Sequence, residues 1–110
     1  MNTQLTEITV MADFSSSGLW VSNQGHMIEY EDLNLSKELI NEFENWIEFY
    51  DCKCHTPDLT FKSEMAKEFN TIGKELAKKL KKLFPNMKII YKGETDSGML
   101  NGEEVLNISH

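Results

Sequence analysis

The side chains best suited to metal or thiol chemistry lie close together near the middle of the chain. Cys52, Cys54 and His55 place three potential soft metal ligands within four residues. Zinc sites usually combine two separate ligand pairs, and the other histidines of this chain are His26 and His110. The spacing therefore fits a zinc template poorly, and we expect no metal and no cofactor. A small metal-dependent or other enzyme that uses Cys52, Cys54 and His55 is kept as an alternative.

Neither the carboxylates nor the serines form a recognisable catalytic set. Asp13 and Asp51 follow predicted elements, but a carboxylate pair performs acid–base chemistry only in a pocket that shifts its pKa values. The segment 15–18, Ser-Ser-Ser-Gly, lacks the G-x-S-x-G frame of a nucleophile turn, and we interpret it as a hairpin turn. The sequence also contains no P-loop, G-x-G-x-x-G or H-E-x-x-H motif. A binding protein is therefore a better interpretation than an enzyme.

Charge is the strongest functional signal in the sequence. The chain has 18 acidic residues and 11 basic residues, all of them lysine, for a net charge of −7. Proteins that bind phosphate groups normally present a basic patch and arginine side chains, so we expect no direct contact with nucleic acid. Residues 1–60 hold 11 acidic residues and two lysines, whereas residues 61–110 hold seven acidic residues and nine lysines. This asymmetry favours a basic protein partner, whose association an acidic surface accelerates.

One helical face is the best candidate for that contact. At 3.6 residues per turn, Glu38, Glu42, Asn45 and Phe49 share a sector outside the apolar stripe of their helix. An aromatic side chain among acids is typical of an apolar anchor with a charged rim. An ordinary solvated face, with Phe49 covered by a loop, is the alternative. The predicted partner-binding residues are Glu29, Glu31, Asp32, Glu38, Glu42, Asn45, Glu48 and Phe49.

Two amphipathic helices are predicted in the middle of the chain. The first runs from Lys37 to about Asp51 after a Ser36 cap, and its apolar stripe places Trp46 in the core. The second begins after Ser63 and ends before Pro85. Its stripe consists of Met65, Phe69, Ile72, Leu76, Leu80 and Leu83.

Short strands are predicted on both sides of the helices. Apolar alternation and turn residues place four strands, at about Glu7–Phe14, from Leu19, at His26–Tyr30 and at Met87–Lys92. Trp20, in the second of them, is expected in the core. Residues Glu103–Ile108 form either a further edge strand or a tail. The predicted fold is α+β, with a small, mostly antiparallel sheet of three to five strands and a two-helix hairpin on one face. We expect one domain over 1–110, in which 1–33 is β-rich, 36–84 is the helical hairpin and 87–110 holds the C-terminal strands and tail.

The same sequence predicts a cytoplasmic location. The longest strictly apolar run is three residues, and the first residues, Met-Asn-Thr-Gln, have neither a basic region nor an apolar segment. We therefore expect no contact with a membrane and two reduced cysteines.

Three groups of residues resemble a known class of protein. They are the segment 11–20, the segment from Leu35 that contains Phe43, Trp46 and Tyr50, and the second helix around Phe69 and 73–77. Together they resemble, over about 8–93, small acidic bacterial immunity proteins of polymorphic toxin loci, including contact-dependent growth inhibition systems. The resemblance implies a cytoplasmic protein that binds and neutralises a cognate toxin, which we expect to be basic, such as a nuclease. A homodimeric interaction module is a further alternative.

Overall fold

The computed structural model describes residues 7–21, 26–58, 60, 62–93 and the strand 103–106. Along these residues, three strands are followed by three α-helices and then by two further strands. The strands are β1 (Glu7–Val10), β2 (Leu19–Val21), β3 (His26–Met27), β4 (Lys88–Lys92) and β5 (Glu103–Leu106). The helices are α1 (Tyr30–Leu33), α2 (Lys37–Lys53) and α3 (Ala66–Leu83), and a 3₁₀ turn at Ser63–Met65 precedes α3. The predicted α+β class is confirmed.

The strands form one mixed sheet in the order β3-β2-β1-β4-β5. Three of its pairings are antiparallel, and β1 pairs with β4 in parallel, with Ile8 opposite Ile89. A parallel pair needs a crossover connection, and here the helical segment lies between the two strands in the sequence. The sheet is therefore mostly antiparallel, as predicted, but not purely so. The predicted edge strand near the C-terminus is present as β5, paired with β4.

Both long helices form where the apolar spacing predicts them. Ser36 caps α2, since its hydroxyl oxygen accepts a hydrogen bond from the amide of Leu39 at 3.1 Å. The helix continues to Lys53, two residues beyond the predicted end. At the end of α3, the amide of Phe84 donates to the carbonyl of Leu80, and Pro85 follows. None of the described helices is both long enough and apolar enough to cross a bilayer.

The two long helices pack as an antiparallel pair on one face of the sheet. Trp46 of α2 stacks on Phe69 of α3, with ring centroids 5.0 Å apart, and lies 6.3 Å from the ring of Tyr91 in β4. Its indole N–H donates to the carbonyl of Phe69 at 3.1 Å. Gly73 permits this approach, because an added Cβ would lie 2.5 Å from Tyr91 and 2.6 Å from Trp46. The prediction that Trp46 belongs to the core is confirmed.

Four local predictions are corrected by the structure. β1 ends at Val10 rather than Phe14 because 13–16 forms a turn in which Ser15 has a φ of 57°. The predicted strand at 26–30 is only two residues long, and Tyr30 begins α1, which was not predicted. Trp20 is half-buried and faces away from the helices, since its neighbour Leu19 faces the core. α3 begins at Ala66, three residues after Ser63, because the 3₁₀ turn Ser63–Met65 comes first.

Candidate functional site

A groove runs between α2 and α3 on the surface of the helical pair. We call it the interhelical groove; its main part encloses about 350 Å³ and is lined by Glu42, Asn45, Trp46, Phe49, Thr71, Ile72, Glu75, Leu76 and Lys79. A second depression of about 290 Å³ continues it towards the start of α2, and is lined by Ser36, Glu38, Leu39, Glu42, Lys79, Lys82 and Leu83. Glu42 and Lys79 belong to both depressions, so they mark the point where the two meet.

The groove has an apolar floor and partly exposed apolar walls. Trp46 and Leu76 are buried, with 1% and 3% of their surface exposed. Phe49 from α2 and Ile72 from α3 are half-buried and pack against the core from above. The two side chains therefore combine contact with the core and contact with solvent, which is the condition for an apolar anchor at an interface.

Half of the predicted partner-binding residues line this groove. Glu38, Glu42, Asn45 and Phe49 recur at intervals of four, three and four residues, so they lie along one side of α2. All four are lining residues of the two depressions. The structure therefore places together the sector that the helical spacing predicted.

The carboxylate of Glu42 is already paired within the protein. The ammonium group of Lys79 lies 2.7 Å from one of its oxygens and 3.0 Å from the other, which ties α2 to α3 across the groove. Glu75 lies 3.7 Å from Lys78 in a looser pair on α3. The groove side of α2 is thus partly neutralised, because a lysine of the neighbouring helix lies opposite its glutamate.

The other predicted acids lie away from the groove. Glu48 is exposed, and Glu44 lies one turn before it on the same side of α2. Tyr30 of α1 contacts this side: its ring lies 6.1 Å from that of Phe43, and its hydroxyl donates to the carbonyl of Ser17 at 2.8 Å.

Two acids of this second surface lie near the phenol of Tyr30. Burial, followed by the negative charges of Glu44 and Glu29, raises the pKa of Tyr30 to about 12. Glu29 and Glu44 therefore both lie within electrostatic reach of one phenol. We call Glu29, Glu44 and Glu48 the acidic flank. Among the described residues, no lysine forms an ion pair with any of the three.

The two remaining predicted residues belong to α1. Glu31 and Asp32 are exposed. The carboxylate of Asp32 accepts a hydrogen bond from the amide of Glu29 at 3.3 Å, so part of its role is to hold the start of the helix. The eight predicted residues thus occupy two surfaces rather than one, with α2 between them.

Glu44, Lys79 and Ile72 belong to these two surfaces but lie outside the predicted set. Glu44 is recognisable in the sequence from its four-residue spacing to Glu48. Lys79 and Ile72 are not, because their positions depend on the register between α2 and α3. Ile72 was assigned to the core stripe, and the structure places it in the wall of the groove.

The candidate metal ligands lie in different surroundings. Cys52 is exposed and Cys54 is buried. The Nδ1 atom of His55 lies 2.8 Å from the carbonyl oxygen of Tyr50, and its ring packs against Phe14 and Tyr50. Within the described part of the chain, no three His, Cys, Asp or Glu side chains converge as metal ligands.

The two carboxylates considered for acid–base chemistry both hold the turn at 13–16. Asp51 accepts a hydrogen bond from the amide of Ser15 at 3.2 Å, and Asp13 accepts one from the amide of Phe14 at 2.8 Å. The second oxygen of Asp51 is buried and has no hydrogen-bond partner in the described residues. These contacts attach the turn to the end of α2.

Comparison with known families gives the fold and its surfaces a context. A family model described as Serratia CdiI immunity protein-like matches residues 6–94. This chain belongs to that family. The matched region contains β1 to β4 and all three α-helices, so it includes both the interhelical groove and the acidic flank. The family match also agrees with the resemblance, over about 8–93, to immunity proteins of contact-dependent growth inhibition systems. No curated protein sequence matches the chain.

Proposed function

We propose that this protein is an immunity protein that binds and neutralises a cognate toxin in the cytoplasm. Its membership of the Serratia CdiI immunity protein-like family is the observation that carries the proposal. The proposed activity is stoichiometric binding rather than catalysis, and it requires no metal or cofactor.

The proposed partner is a basic protein, such as a nuclease. The chain has a net charge of −7, and in the described residues no lysine forms an ion pair with the acidic flank. A nuclease needs a cationic surface to hold phosphate groups, and carboxylates are suited to the same surface. Charge complementarity of this kind mainly accelerates association, which matters for an inhibitor that must find its toxin before damage occurs.

The proposed contact surface combines the acidic flank with the interhelical groove. The acidic flank supplies long-range attraction, and Phe49 with Ile72 supplies apolar contact area in the groove. Glu31, Asp32, Glu38 and Asn45 complete a polar rim around these features. In this arrangement a few apolar anchors determine the dissociation rate and the rim charges determine the association rate.

The first experiment identifies the partner and tests neutralisation. The tagged protein is used at low salt to capture its partner from a lysate of the source bacterium, and mass spectrometry identifies what co-purifies. The captured protein is then expressed in a bacterial host with and without this chain. We expect growth arrest from the partner alone and restored growth on co-expression, with loss of any nuclease activity at equal stoichiometry. A toxic partner that remains toxic on co-expression, or a captured protein that is harmless alone, would contradict the proposal.

Charge variants then test the acidic flank. Glu44→Gln with Glu48→Gln removes two charges one helical turn apart on α2. The matched control, Glu64→Gln with Glu68→Gln, removes two exposed charges at the same spacing near the start of α3. We expect the first pair to slow association with the captured toxin at low salt more than the control pair does, and the difference to shrink at high salt. Equal slowing by both pairs would show that net charge alone matters.

A further inference from the structure

An aromatic ring is exposed at the turn 13–16, where this turn meets the end of α2. The ring centroid of Phe14 lies 5.3 Å from that of Tyr50 and 4.8 Å from that of His55, yet 42% of Phe14 remains exposed. We call Asp13, Phe14 and the half-buried His55 the aromatic corner. Because two neighbouring rings already hold the side chain of Phe14, it loses little conformational freedom when a partner contacts it.

A second exposed apolar side chain adjoins the same segment of chain. The sulfur of Met27 accepts a hydrogen bond from the amide of Ser17 at 3.4 Å, and Met27 is 40% exposed. Phe14, Met27 and Leu83 are the three large apolar side chains that are exposed in the described part of the chain. Two of the three thus adjoin the segment 13–17, and grouped apolar side chains on a surface are typical of contact sites.

The carboxylates beside the aromatic corner are not neutralised by lysine. Asp13 is exposed and immediately precedes Phe14, while Glu48 and Asp51 lie three residues apart on one side of α2. Among the described residues, no lysine forms an ion pair with Asp13, Glu48 or Asp51. Lys53 follows Asp51 by two residues, about 200° around the helix, so it points to the other side of α2. The negative charge of the acidic flank therefore continues to the aromatic corner.

An aromatic ring beside an exposed carboxylate is suited to one cationic group in particular. The guanidinium group of arginine is planar, so it stacks on a ring while its N–H groups donate to a carboxylate in the same plane. Arginine also makes cation–π contacts more often than lysine does. A toxin with a cationic surface, as proposed above, carries side chains of this kind.

We propose that the aromatic corner binds an arginine side chain of the toxin. Its guanidinium group stacks on the ring of Phe14 and pairs with the carboxylate of Asp13, and the charges of Glu48 and Asp51 add attraction. This inference rests on the proposed function and adds a specific contact outside the interhelical groove. An uncharged apolar side chain would contact the same ring but would gain nothing from the carboxylates around it.

Two substitutions of Phe14 separate stacking from simple apolar contact. Phe14→Leu retains an apolar side chain and removes the aromatic ring, whereas Phe14→Tyr retains the ring. We expect Phe14→Leu to weaken binding of the captured toxin by about 5- to 30-fold and Phe14→Tyr to change it by less than about threefold. Unchanged affinity of Phe14→Leu, or an equal loss in both variants, would overturn the inference. The denaturant midpoints of both variants verify that the fold is retained.

A charge variant tests the carboxylate of the aromatic corner. Asp13→Asn keeps an oxygen for the amide of Phe14, which donates to Asp13 at 2.8 Å, and removes the negative charge. The control, Glu68→Gln, removes an exposed charge on α3. At low salt, Asp13→Asn should weaken toxin binding by about 3- to 10-fold and Glu68→Gln by less than about twofold. Equal effects of the two variants would contradict a direct pairing with Asp13.

Crosslinking then identifies the side chain of the toxin that is bound. A benzoylphenylalanine residue in place of Phe14 is irradiated in complex with the captured toxin, and the adduct should map to a segment that contains an arginine. Exchange of that arginine for lysine should weaken binding, and its combination with Phe14→Leu should cost little more than either change alone. A crosslinked segment without arginine, or fully additive losses, would overturn the inference.

The growth assay separates the two proposals. If the wild-type chain restores growth in the presence of the toxin but Phe14→Leu binds the toxin as tightly as the wild-type chain, the arginine inference is wrong and the immunity function stands. If the wild-type chain does not restore growth, the proposed function itself fails, whatever the Phe14 variants show.

Discussion

The two sides of α2 carry similar numbers of exposed acids but differ in what surrounds them. On the side of the interhelical groove, Glu42 forms a two-oxygen ion pair with Lys79 of the neighbouring helix. On the opposite side, Glu44 and Glu29 both lie within electrostatic reach of the phenol of Tyr30, and burial together with these two charges raises its pKa to about 12. The count of acids in a sequence therefore does not give the charge that a partner meets. Which acids remain unneutralised depends on the elements packed beside each face.

This difference suggests separate roles for the two sides. Glu42 contributes to the attachment of α2 to α3, so part of its charge serves the fold. Glu44 and Glu48 of the acidic flank are exposed on α2, and α1 lies beside them, where its Tyr30 hydroxyl donates to the carbonyl of Ser17. We expect variants on the groove side to change stability and variants on the acidic flank to change the electrostatic field.

The largest expected effect comes from Gly73→Ala, which tests how closely the groove side is packed. The added Cβ would approach the rings of both Tyr91 and Trp46, which are 1% exposed and cannot move freely. Overpacking costs about 1–3 kcal/mol, and contacts of 2.5 Å and 2.6 Å with two buried rings place this site in the upper part of that range. The better helix propensity of alanine offsets about 1 kcal/mol of that cost. We predict a net loss of about 1–2 kcal/mol in the free energy of unfolding, measured by denaturant titration.

A substitution on the exposed side of the same helix provides the control. Thr71→Ala removes an exposed methyl group and a hydroxyl that donates to the carbonyl of Lys67, so it should change stability by less than about 0.5 kcal/mol. The titration of Tyr30 should be unchanged in the Gly73→Ala variant if the two sides of α2 are independent. A neutral or stabilising effect of Gly73→Ala would show that the packing of α3 on Trp46 relaxes easily.

A smaller effect is expected from the ion pair across the groove. Glu42→Gln and Lys79→Met each remove one partner, and both side chains are about half-exposed. Each variant should lose less than about 1 kcal/mol, and a double-mutant cycle should give a coupling of about 0.2–1 kcal/mol that decreases in high salt.

On the acidic flank, removing a charge should change stability in the opposite direction. Glu44→Gln removes repulsion from Glu29 and from Glu48 one turn away, so it should raise stability by a few tenths of a kcal/mol (about 0.2–0.5) at low salt. If Glu42→Gln and Glu44→Gln shifted the denaturation midpoint in the same direction, the contrast between the two sides of α2 would be wrong.

Much of the fold could be predicted from spacing alone. The apolar stripes gave both long helices, because residues three and four apart must face the same core. Alternation and turn residues predicted β1 and β4, which the structure pairs as neighbours. The helix α1 was missed because it has only four residues, and its position depends on a hydrogen bond to Ser17 and on contact with Phe43. Such tertiary contacts leave no periodic trace in the sequence.

The candidate site was predictable only within one helix. The spacing of Glu38, Glu42, Asn45 and Phe49 placed them correctly on one side of α2. The spacing did not reveal that Lys79 faces Glu42, since that depends on the register between two helices. It also overestimated the core stripe of α3, because Leu83 at the end of that stripe is 54% exposed. A stripe derived from periodicity is wider than the surface that a partner helix and a sheet can cover.

The most local test of the comparison, and one that acts only at alkaline pH, is the titration of Tyr30. Unfolded tyrosine ionises near pH 10, whereas burial and the charges of Glu44 and Glu29 hold the proton of the folded phenol until about pH 12. Unfolding therefore releases a proton above pH 10, and stability should decrease between pH 10 and pH 12. Tyr30→Phe should remove this part of the decrease, measured by denaturant titration at a series of alkaline pH values.

Charge variants decide which side of α2 acts on the phenol. Glu44→Gln should lower the pKa of Tyr30 relative to the wild-type protein, measured from the ultraviolet absorbance of tyrosinate with Tyr30→Phe subtracted as the reference. Glu42→Gln should leave that pKa unchanged, because Glu42 faces α3 and its charge is compensated by Lys79. Equal shifts from both variants would mean that Tyr30 responds to the total charge of the protein rather than to its neighbours. A shift from Glu44→Gln alone would locate the uncompensated negative charge on the acidic flank.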